Sequence, residues 1–386
     1  MTRVRKSAFN VREKLTELGR RFGLKGSELA GAETLQEARD LVSAGRKNII
    51  INGDMRVAQR GTSTTVSDDS TNFTVDRFAF YRGGLSTTLT GTQQSVTDLA
   101  EHNKSLRITS TGNATIGANT DGWLKYNIED KDFDNVNWIN GSNKHVTLSF
   151  WAKSNRTGQF SVNISAGNFS AAKNIKTYTL DFVDTWKKIE VTFPAPSTWA
   201  YNLNRGAIIY WSMALGTTYY TSNPNTGWMY SNNKIGTVGD TQIYGDNGAY
   251  FEITGVQLEL GKNATDFEYS SYGEELALCQ RYFYKFRLAN QEWIYNEGNG
   301  ANNKWHQFYI GHSMRPISAI DVTDVTVGGS IGGLGGTVNS YAPQTPGDTP
   351  SRVSSRVTMS ATGGTARNIY HYDGWNEDYI SVSAEL

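Results

Sequence analysis

Two glutamates late in the central part of the chain have side chains suited to cleaving a glycosidic bond. Glu252 and Glu259 lie on one predicted strand, GAYFEITGVQLELG. Their odd offset places them on opposite faces of an unbroken strand, roughly 23 Å apart at ~3.3 Å per residue. A glycosidase pair needs carboxyl groups ~5–9.5 Å apart. We therefore interpret both as surface or ion-pair residues, while a cross-strand pairing such as Asp76 with Glu252 stays open.

The sequence contains few residues that would indicate another catalytic site or a metal site. The chain contains neither an HExxH motif nor a Walker A loop. Its 5 histidines are scattered, and its 1 cysteine allows neither an intrachain disulfide nor a thiolate metal cluster. That residue, Cys279, lies in an apolar run, which predicts a buried and unreactive thiol. The sequence thus predicts a protein that is not an enzyme and assigns no catalytic residue.

Aromatic side chains are the stronger candidates for ligand contacts, because the C–H faces of sugar rings stack on exposed aromatic rings. The segment TTYYTSNPNTGWMYSNN combines aromatic and Asn side chains and is the best single loop. Trp151 and Trp186 lie inside alternating strands and are predicted to be packing residues. The candidate ligand contacts, in this loop and near other Gly/Asn-rich turns, are Tyr219, Tyr220, Trp228, Tyr230, Trp123, Trp138 and Trp199. A rival surface near the C-terminus comprises Tyr370, Tyr372 and Trp375.

Charge and hydropathy exclude two classes of partner. The formal net charge is +0, which gives no global attraction to nucleic acid. No window approaches eighteen consecutive apolar residues, so no membrane insertion is expected. The N-terminus lacks the apolar stretch of a secretory signal. Residues 1–47 are locally basic, with eleven Lys or Arg against six Asp or Glu, and either meet an acidic partner or form a solvated helix face.

The patterning predicts a mainly β protein with a short helical start. Within residues 7–45, Ala8, Val11, Leu15 and Leu18 form an amphipathic stripe. From Asn48 onwards, short alternating strands separated by Gly/Asn/Ser turns predict a β-sandwich or jelly roll. We divide the chain into a helical attachment and trimerisation segment (1–47), a jelly-roll domain (48–270) and a smaller C-terminal β domain (271–386).

Several segments resemble phage tail fibre proteins that carry a jelly-roll domain similar to carbohydrate-binding modules. The resemblance lies in NIIINGDMRVAQRGTS, TVDRFAFYRGG, VTLSFWAKS and FEITGVQLELGKNATDFEYSSYGEELALCQRYF. It covers roughly residues 48–320 and is thin over 1–47. The resemblance implies a homotrimer, a virion location after synthesis in the host cytoplasm, and binding to a host-surface receptor. Residues 1–47 would then attach the fibre to a tail or head protein, and the receptor would be a cell-surface glycan or protein.

The same resemblance implies a structural calcium ion near the first and last strands of the jelly roll. Asp54 and Glu252 match that placement loosely, and loop carbonyls could supply further oxygens. The alternative for Asp54 is a side chain that stabilises its own turn. For the whole chain, two other functions stay open: an architectural head, collar or tail decoration without a dedicated ligand, and a polysaccharide depolymerase. The missing parallel β-helix repeat disfavours the depolymerase.

Overall fold

The computed structural model describes residues 46–129, 138, 144–166, 172–196, 206–225, 227–229 and 233–287, and beyond them the backbone of four strands within 303–309, 338–344, 354–360 and 379–383. The predicted helical segment 1–47 therefore lies outside the described residues except for its last two. Trp199, Tyr230, Tyr370, Tyr372 and Trp375 lie outside them as well.

The first of two large sheets among the described residues has six antiparallel strands, and we call it sheet A. Its strands, in spatial order, are β1 (Ser63–Val66), β4 (Thr88–Ser95), β5 (Lys104–Thr111), β15 (Tyr250–Leu260), β7 (His145–Ser154) and β10 (Lys187–Pro194). Period-two alternation aims one set of side chains inwards. On β10, Ile189 and Phe193 are buried, whereas Lys188 and Glu190 are exposed, as the sequence pattern predicts.

The second large sheet, sheet B, has seven strands in the described part of the chain. Their spatial order is β13 (Trp228–Met229), β9 (Lys173–Leu180), β8 (Gly158–Ala166), β11 (Ala207–Leu215), β6 (Asp121–Ile128), β3 (Phe78–Gly83) and β2 (Asn72–Phe73). A short parallel pair, β12 (Tyr220–Thr221) with β14 (Gly236–Thr237), follows β11, and a 3-10 turn spans Ile243–Gly245.

The two sheets bury one continuous apolar core between them. Phe80 and Trp211 of sheet B and Phe150 and Phe251 of sheet A are all fully buried in it. The rings of Phe150 and Trp211 meet edge to face across the two sheets, with centroids 5.8 Å apart. Each such ring removes a large apolar area from water, which is the main favourable term in folding. The mainly β fold and the jelly-roll sandwich predicted from the sequence are confirmed.

One expectation about strand faces is wrong, and the reason is a bulge in β15. The register of β15 against β7 shifts between Thr254 and Gln257, where Gly255 adopts a φ of 61°. The extra residue reverses the alternation, because side-chain faces depend on an unbroken period of two. Glu252 pairs with Lys153 and Glu259 with Thr147, so both glutamates lie on the outer face of sheet A. These partners are six positions apart on β7, about 20 Å at ~3.3 Å per residue, which still excludes a glycosidase pair.

The helix that follows the sandwich packs against it. Helix α1 (Tyr272–Gln280) starts with a capping box between Ser271 and Glu274. Just beyond its end, the Arg77 guanidinium lies 3.4 Å from the centroid of the Tyr282 ring, and that of Arg60 lies 3.7 Å from Phe283. These cation–π contacts cross the boundary at residue 270 that the sequence suggests between the second and third domains.

Cys279 and Tyr282 complete this junction in a small buried cluster with Ile51 and Val57. The cysteine is fully buried, as the apolar run around it predicts. Beyond it, β16 (Phe283–Arg287) pairs with β20 (Tyr379–Ser383). A further sheet has the order β17 (Asn303–Tyr309), β19 (Ser354–Ser360), β18 (Val338–Gln344).

Among the described residues, no helix has both the length and the hydropathy to cross a membrane.

Candidate sugar-binding site

Three of the aromatic residues predicted to contact a ligand converge on the outer face of sheet B. Trp123, Tyr219 and Tyr220 belong to one cluster, which Tyr81 joins from β3. We call these four residues the aromatic platform. Its base is buried, since Ala79, Ile208, Tyr210, Leu215 and Ile235 lie beneath it. The platform thus brings together side chains from three separate parts of the chain.

The strand register determines how Tyr81 and Trp123 meet. They are directly opposed on β3 and β6, and their rings stack with centroids 4.9 Å apart at an interplanar angle of 23°. The Lys125 ammonium lies 4.7 Å from the centroid of the Trp123 ring. Trp123 is consequently only 7% exposed, so the prediction that it presents a ring to a ligand needs correction: it supports Tyr81, which is half-buried.

The loop after β11 holds the two tyrosines in place. The Ile235 amide donates to the carbonyl of Tyr219 at 2.8 Å, and Ile235 itself is fully buried in the cluster. Tyr220 pairs with Gly236 in the short parallel ladder. Both tyrosines remain half-buried. Their rings are therefore positioned by backbone hydrogen bonds and still offer surface to solvent.

Two carboxylates adjoin the platform. Asp121 opens β6 opposite Gly83, and a Cβ atom at Gly83 would lie 1.8 Å from Asp121 Oδ1 and 2.6 Å from the Tyr81 ring. A Cβ atom at Gly83 would therefore force these side chains out of their present positions. Asp69 is exposed and accepts a hydrogen bond from the Gly84 amide at 3.3 Å. The site therefore combines flat apolar rings with hydrogen-bond acceptors, the combination that sugar recognition requires.

Acidic groups influence one another across this site. Burial, reinforced by the neighbouring Asp69, raises the pKa of Asp121 to about 6, although the Trp123 indole acts in the opposite direction. Burial and the Asp121 carboxylate raise the pKa of Tyr219. Burial, Asp121 and Asp69 raise that of Tyr81. Both tyrosines thus keep their hydroxyl protons and remain hydrogen-bond donors as well as stacking surfaces.

We expect the Asp121 carboxyl to titrate with a midpoint near 6. Because its folded-state pKa is raised, its contribution to stability is fully present below pH 3.8 and is lost as the pH rises through about 6. Asp69→Asn should lower the midpoint, since it removes a nearby negative charge. Carbon-13 NMR of the side-chain carboxyl measures both effects. Asp68→Asn is the matched control and should leave the midpoint unchanged; a midpoint near 4 in the unmodified protein would contradict the assignment.

The other predicted tryptophans lie elsewhere. Trp138 is fully buried in the core, so the prediction that it contacts a ligand is wrong: no face of its ring is available. Trp228 pairs with Asn174 on β9, lies 5.7 Å from Trp138 between ring centroids and donates its indole N–H to the Pro194 carbonyl at 2.9 Å. It belongs to the opposite half of sheet B from the aromatic platform.

Two tryptophans predicted to be packing residues instead lie on the outer face of sheet A. Trp151 and Trp186 are both half-buried. Trp151 shares its face with Lys153, because the intervening Ala152 points into the core. Trp151 lies on β7, as the sequence pattern predicts, whereas Trp186 lies just before β10 rather than inside a strand. The pattern does not say which of the two faces of a sheet is covered by a loop.

Asp54 and Glu252 do not fit the calcium site that the resemblance implies. Asp54 forms an ion pair with Arg56. Glu252 is held by Arg107 at 2.7 Å and Lys153 at 3.7 Å, with Ser105 donating to its second oxygen at 2.5 Å. These bound oxygens are already neutralised by cations. Within the described residues, no group of three or more His, Cys, Asp or Glu side chains could hold a metal ion.

Sequence reasoning missed Tyr81, Asp121 and Asp69. Tyr81 lies two residues before Gly83 of the Gly83-Gly84 turn, and Asp121 starts the strand DGWLKYNI two residues before Trp123. A search for polar and aromatic residues at strand ends beside glycine turns would have found these two. Asp69 comes from a polar loop and has no comparable signal.

No known protein-family model matches the chain, and no curated protein sequence matches it. Solved structures resemble it in fold. A family 11 carbohydrate-binding module from Clostridium thermocellum in complex with a β-1,3-1,4-mixed-linked tetrasaccharide is 16% identical with a TM-score of 0.27, covering 52% of this chain and 95% of that chain. The CBM22-1 xylan-binding domain from Paenibacillus barcinonensis Xyn10C is 12% identical with a TM-score of 0.27, covering 57% and 100%.

A phage protein also resembles the chain. The enzymatically active domain of tailspike protein 4 from bacteriophage CBA120 is 11% identical with a TM-score of 0.29, covering 55% of this chain. This chain spans only 21% of that domain's length. All three likenesses concern the fold alone, and at these identities and TM-scores no function is transferred from them.

Proposed function

We propose that this chain is a non-catalytic glycan-binding protein whose sugar site is the aromatic platform together with Asp69 and Asp121. The observation that carries the proposal is the convergence of half-buried Tyr81, Tyr219 and Tyr220 on one outer sheet face, beside two carboxylates. A group of apolar rings that reaches the surface beside polar groups is typical of a ligand-binding site.

In this site the aromatic rings and the carboxylates make different contacts with the sugar. A pyranose stacks its C–H face on Tyr81 and Tyr219, which removes apolar surface from water. The Asp69 and Asp121 carboxylates accept hydrogen bonds from sugar hydroxyls, and such charge-assisted bonds are stronger than neutral ones. The strands and the hydrogen-bonded loop after β11 fix these side chains before a sugar binds. Little conformational entropy is therefore lost on binding.

The finer assignment is a fibre subunit of a phage virion that adheres to a host-surface receptor. Its support is the sequence resemblance over roughly residues 48–320, together with the order of a basic N-terminal segment, a jelly roll and a smaller β domain. In this assignment the chain is a homotrimer, attached through residues 1–47, and the receptor is a glycan. An architectural virion protein is the alternative, and it predicts no glycan affinity at the aromatic platform.

A second candidate function, cleavage of the bound polysaccharide, is favoured by one observation. Asp121 has a pKa of about 6, a value suited to a general acid, and Asp69 is a second carboxylate beside it. Against cleavage, Asp69 is exposed and the platform lies on an open sheet face, where water is not excluded from the reacting bond.

Binding of the full-length protein to candidate host cells tests the proposal, with purified surface polysaccharide as competitor and a reducing-end assay of the supernatant. We expect saturable binding that the polysaccharide competes, without new reducing ends. Binding that no polysaccharide reduces would contradict glycan recognition. New reducing ends that disappear in Asp121→Asn would establish cleavage in its place.

A further inference from the structure

The turn that joins sheet B to sheet A exposes an apolar tip. It spans residues 181–186, between the end of β9 and the start of β10. Phe182 is 71% exposed, the largest exposed fraction among the large apolar side chains described, and the adjacent Val183 is 52% exposed. Adjacent exposed apolar side chains rimmed by polar residues mark contact sites. The turn is far from the aromatic platform, because β9 and β3 lie in opposite halves of sheet B.

Several hydrogen bonds hold this turn in one conformation. The Asp184 amide donates to the Ser154 carbonyl at 2.8 Å, and the Tyr250 hydroxyl donates to the Asp184 carboxylate. Asp184 itself adopts a left-handed φ of 54°, which an aspartate tolerates better than most residues. The exposure of Phe182 is therefore a fixed feature of the surface.

Trp186 is fixed in the same way at the base of the turn. Its indole N–H donates to Asp98 Oδ1 at 2.9 Å, and the Lys153 ammonium lies 4.5 Å from its ring centroid. Lys153 also donates to Asp98 at 3.0 Å. These two bonds lower the pKa of the Asp98 carboxyl against the opposing effect of its burial. Trp186 is therefore held by an ionised acceptor.

An open pocket of about 230 Å³ is formed by this turn and the residues that flank it. Its lining residues are Leu180, Asp181, Phe182, Thr185, Trp186 and Lys187. Pockets for drug-sized molecules measure ~300–1,000 Å³, so this one suits a single small ring. The lining alternates between apolar and polar groups, and its two charges neutralise each other, because Lys187 pairs with Asp181 at 2.5 Å.

We propose that this turn is a second sugar-binding site, which takes one neutral hexopyranose residue in the pocket that Phe182 and Trp186 help to line. The two rings provide stacking surfaces, and Asp181, Thr185 and Lys187 provide acceptors and donors for sugar hydroxyls. A neutral sugar is specified because the paired Asp181 and Lys187 leave no net charge to attract an ionic one. Two sites on one chain would strengthen attachment to a polymer by raising the effective concentration of the second contact.

Fluorine NMR of the full-length protein labelled with 5-fluorotryptophan tests this site directly. The Trp186 signal is assigned as the one missing from Trp186→Phe. Methyl glycosides of glucose, galactose, mannose and N-acetylglucosamine are then titrated separately. We expect at least one to shift the Trp186 signal with a Kd of about 1 mM, as is usual for a single small ring.

Matched variants separate this site from the aromatic platform. Phe182→Ala should weaken the Trp186 response about tenfold, the loss of one stacking contact worth ~1.4 kcal/mol. Tyr272→Ala removes another exposed ring, 52% exposed, and should change nothing. Tyr81→Ala should also leave the Trp186 response unchanged, so failure of the platform would not be mistaken for failure here. The proposal is overturned if no glycoside shifts the signal, or if Phe182→Ala behaves like Tyr272→Ala.

Discussion

Tyr81→Ala is expected to weaken binding of a recognised polysaccharide about 30-fold. Loss of a central aromatic contact costs ~2 kcal/mol in binding interfaces, and ~1.4 kcal/mol corresponds to a factor of ten. Tyr81 supplies an accessible ring of the platform and stacks on Trp123 at 4.9 Å. It lies outside the core between the sheets, so the fold should persist. Calorimetric titration with the polysaccharide measures the loss.

Two further variants give this experiment its controls. Tyr81→Phe keeps the ring and loses only the hydroxyl, so most of the affinity should remain. Tyr272→Ala removes a 52% exposed ring from α1 and should bind like the unmodified protein. If Tyr81→Ala and Tyr272→Ala bind equally well, the sugar site is not on the aromatic platform.

Glu252→Ala should lower the free energy of unfolding by about 3–5 kcal/mol, the usual cost of removing one partner from a buried ion pair. Glu252 is 1% exposed and receives Arg107 at 2.7 Å and Lys153 at 3.7 Å. Without the carboxylate, the Arg107 and Lys153 cations lie close together on sheet A, and Asp98 remains as the carboxylate partner of Lys153 at 3.0 Å. Chemical denaturation monitored by tryptophan fluorescence measures the change.

An exposed ion pair on the same sheet provides the comparison. Lys188 and Glu190 lie 3.1 Å apart with side chains 38% and 48% exposed, and such pairs contribute ~0–1 kcal/mol. Glu190→Ala should therefore be nearly neutral. Equal effects of the two substitutions would show that the Glu252 network contributes little. A chelator should not reproduce the Glu252→Ala loss; if it does, Glu252 binds a metal ion after all.

The fold could be predicted from the sequence because the alternation of apolar and polar residues along a strand shows which side chains are buried. On β10, inward Ile189 and Phe193 alternate with exposed Lys188 and Glu190, and similar strands along the chain leave few alternatives to a sandwich. The exception is β15, where the register shift beside Gly255 reverses the faces of Glu252 and Glu259. A glycine within a strand is compatible with a bulge or with an unbroken strand, and the sequence alone does not choose between them.

The candidate site was predicted only in part, because exposure depends on distant segments. Tyr219 and Tyr220 could be proposed from the composition of their loop. Trp138 was predicted to contact a ligand but is fully buried. Trp186 was predicted to be a packing residue but is only half-buried. The partnership of Tyr81 with Trp123 depends on the pairing of β3 with β6, and cross-strand pairing is not encoded in either strand alone.

A crystal structure of the protein with an oligosaccharide from the competing polysaccharide tests the central claim most directly. We expect a sugar ring stacked on Tyr81 and Tyr219, with its hydroxyls donating to the Asp69 and Asp121 carboxylates. A sugar bound only elsewhere, with the aromatic platform still open to solvent, would contradict the assignment of the site.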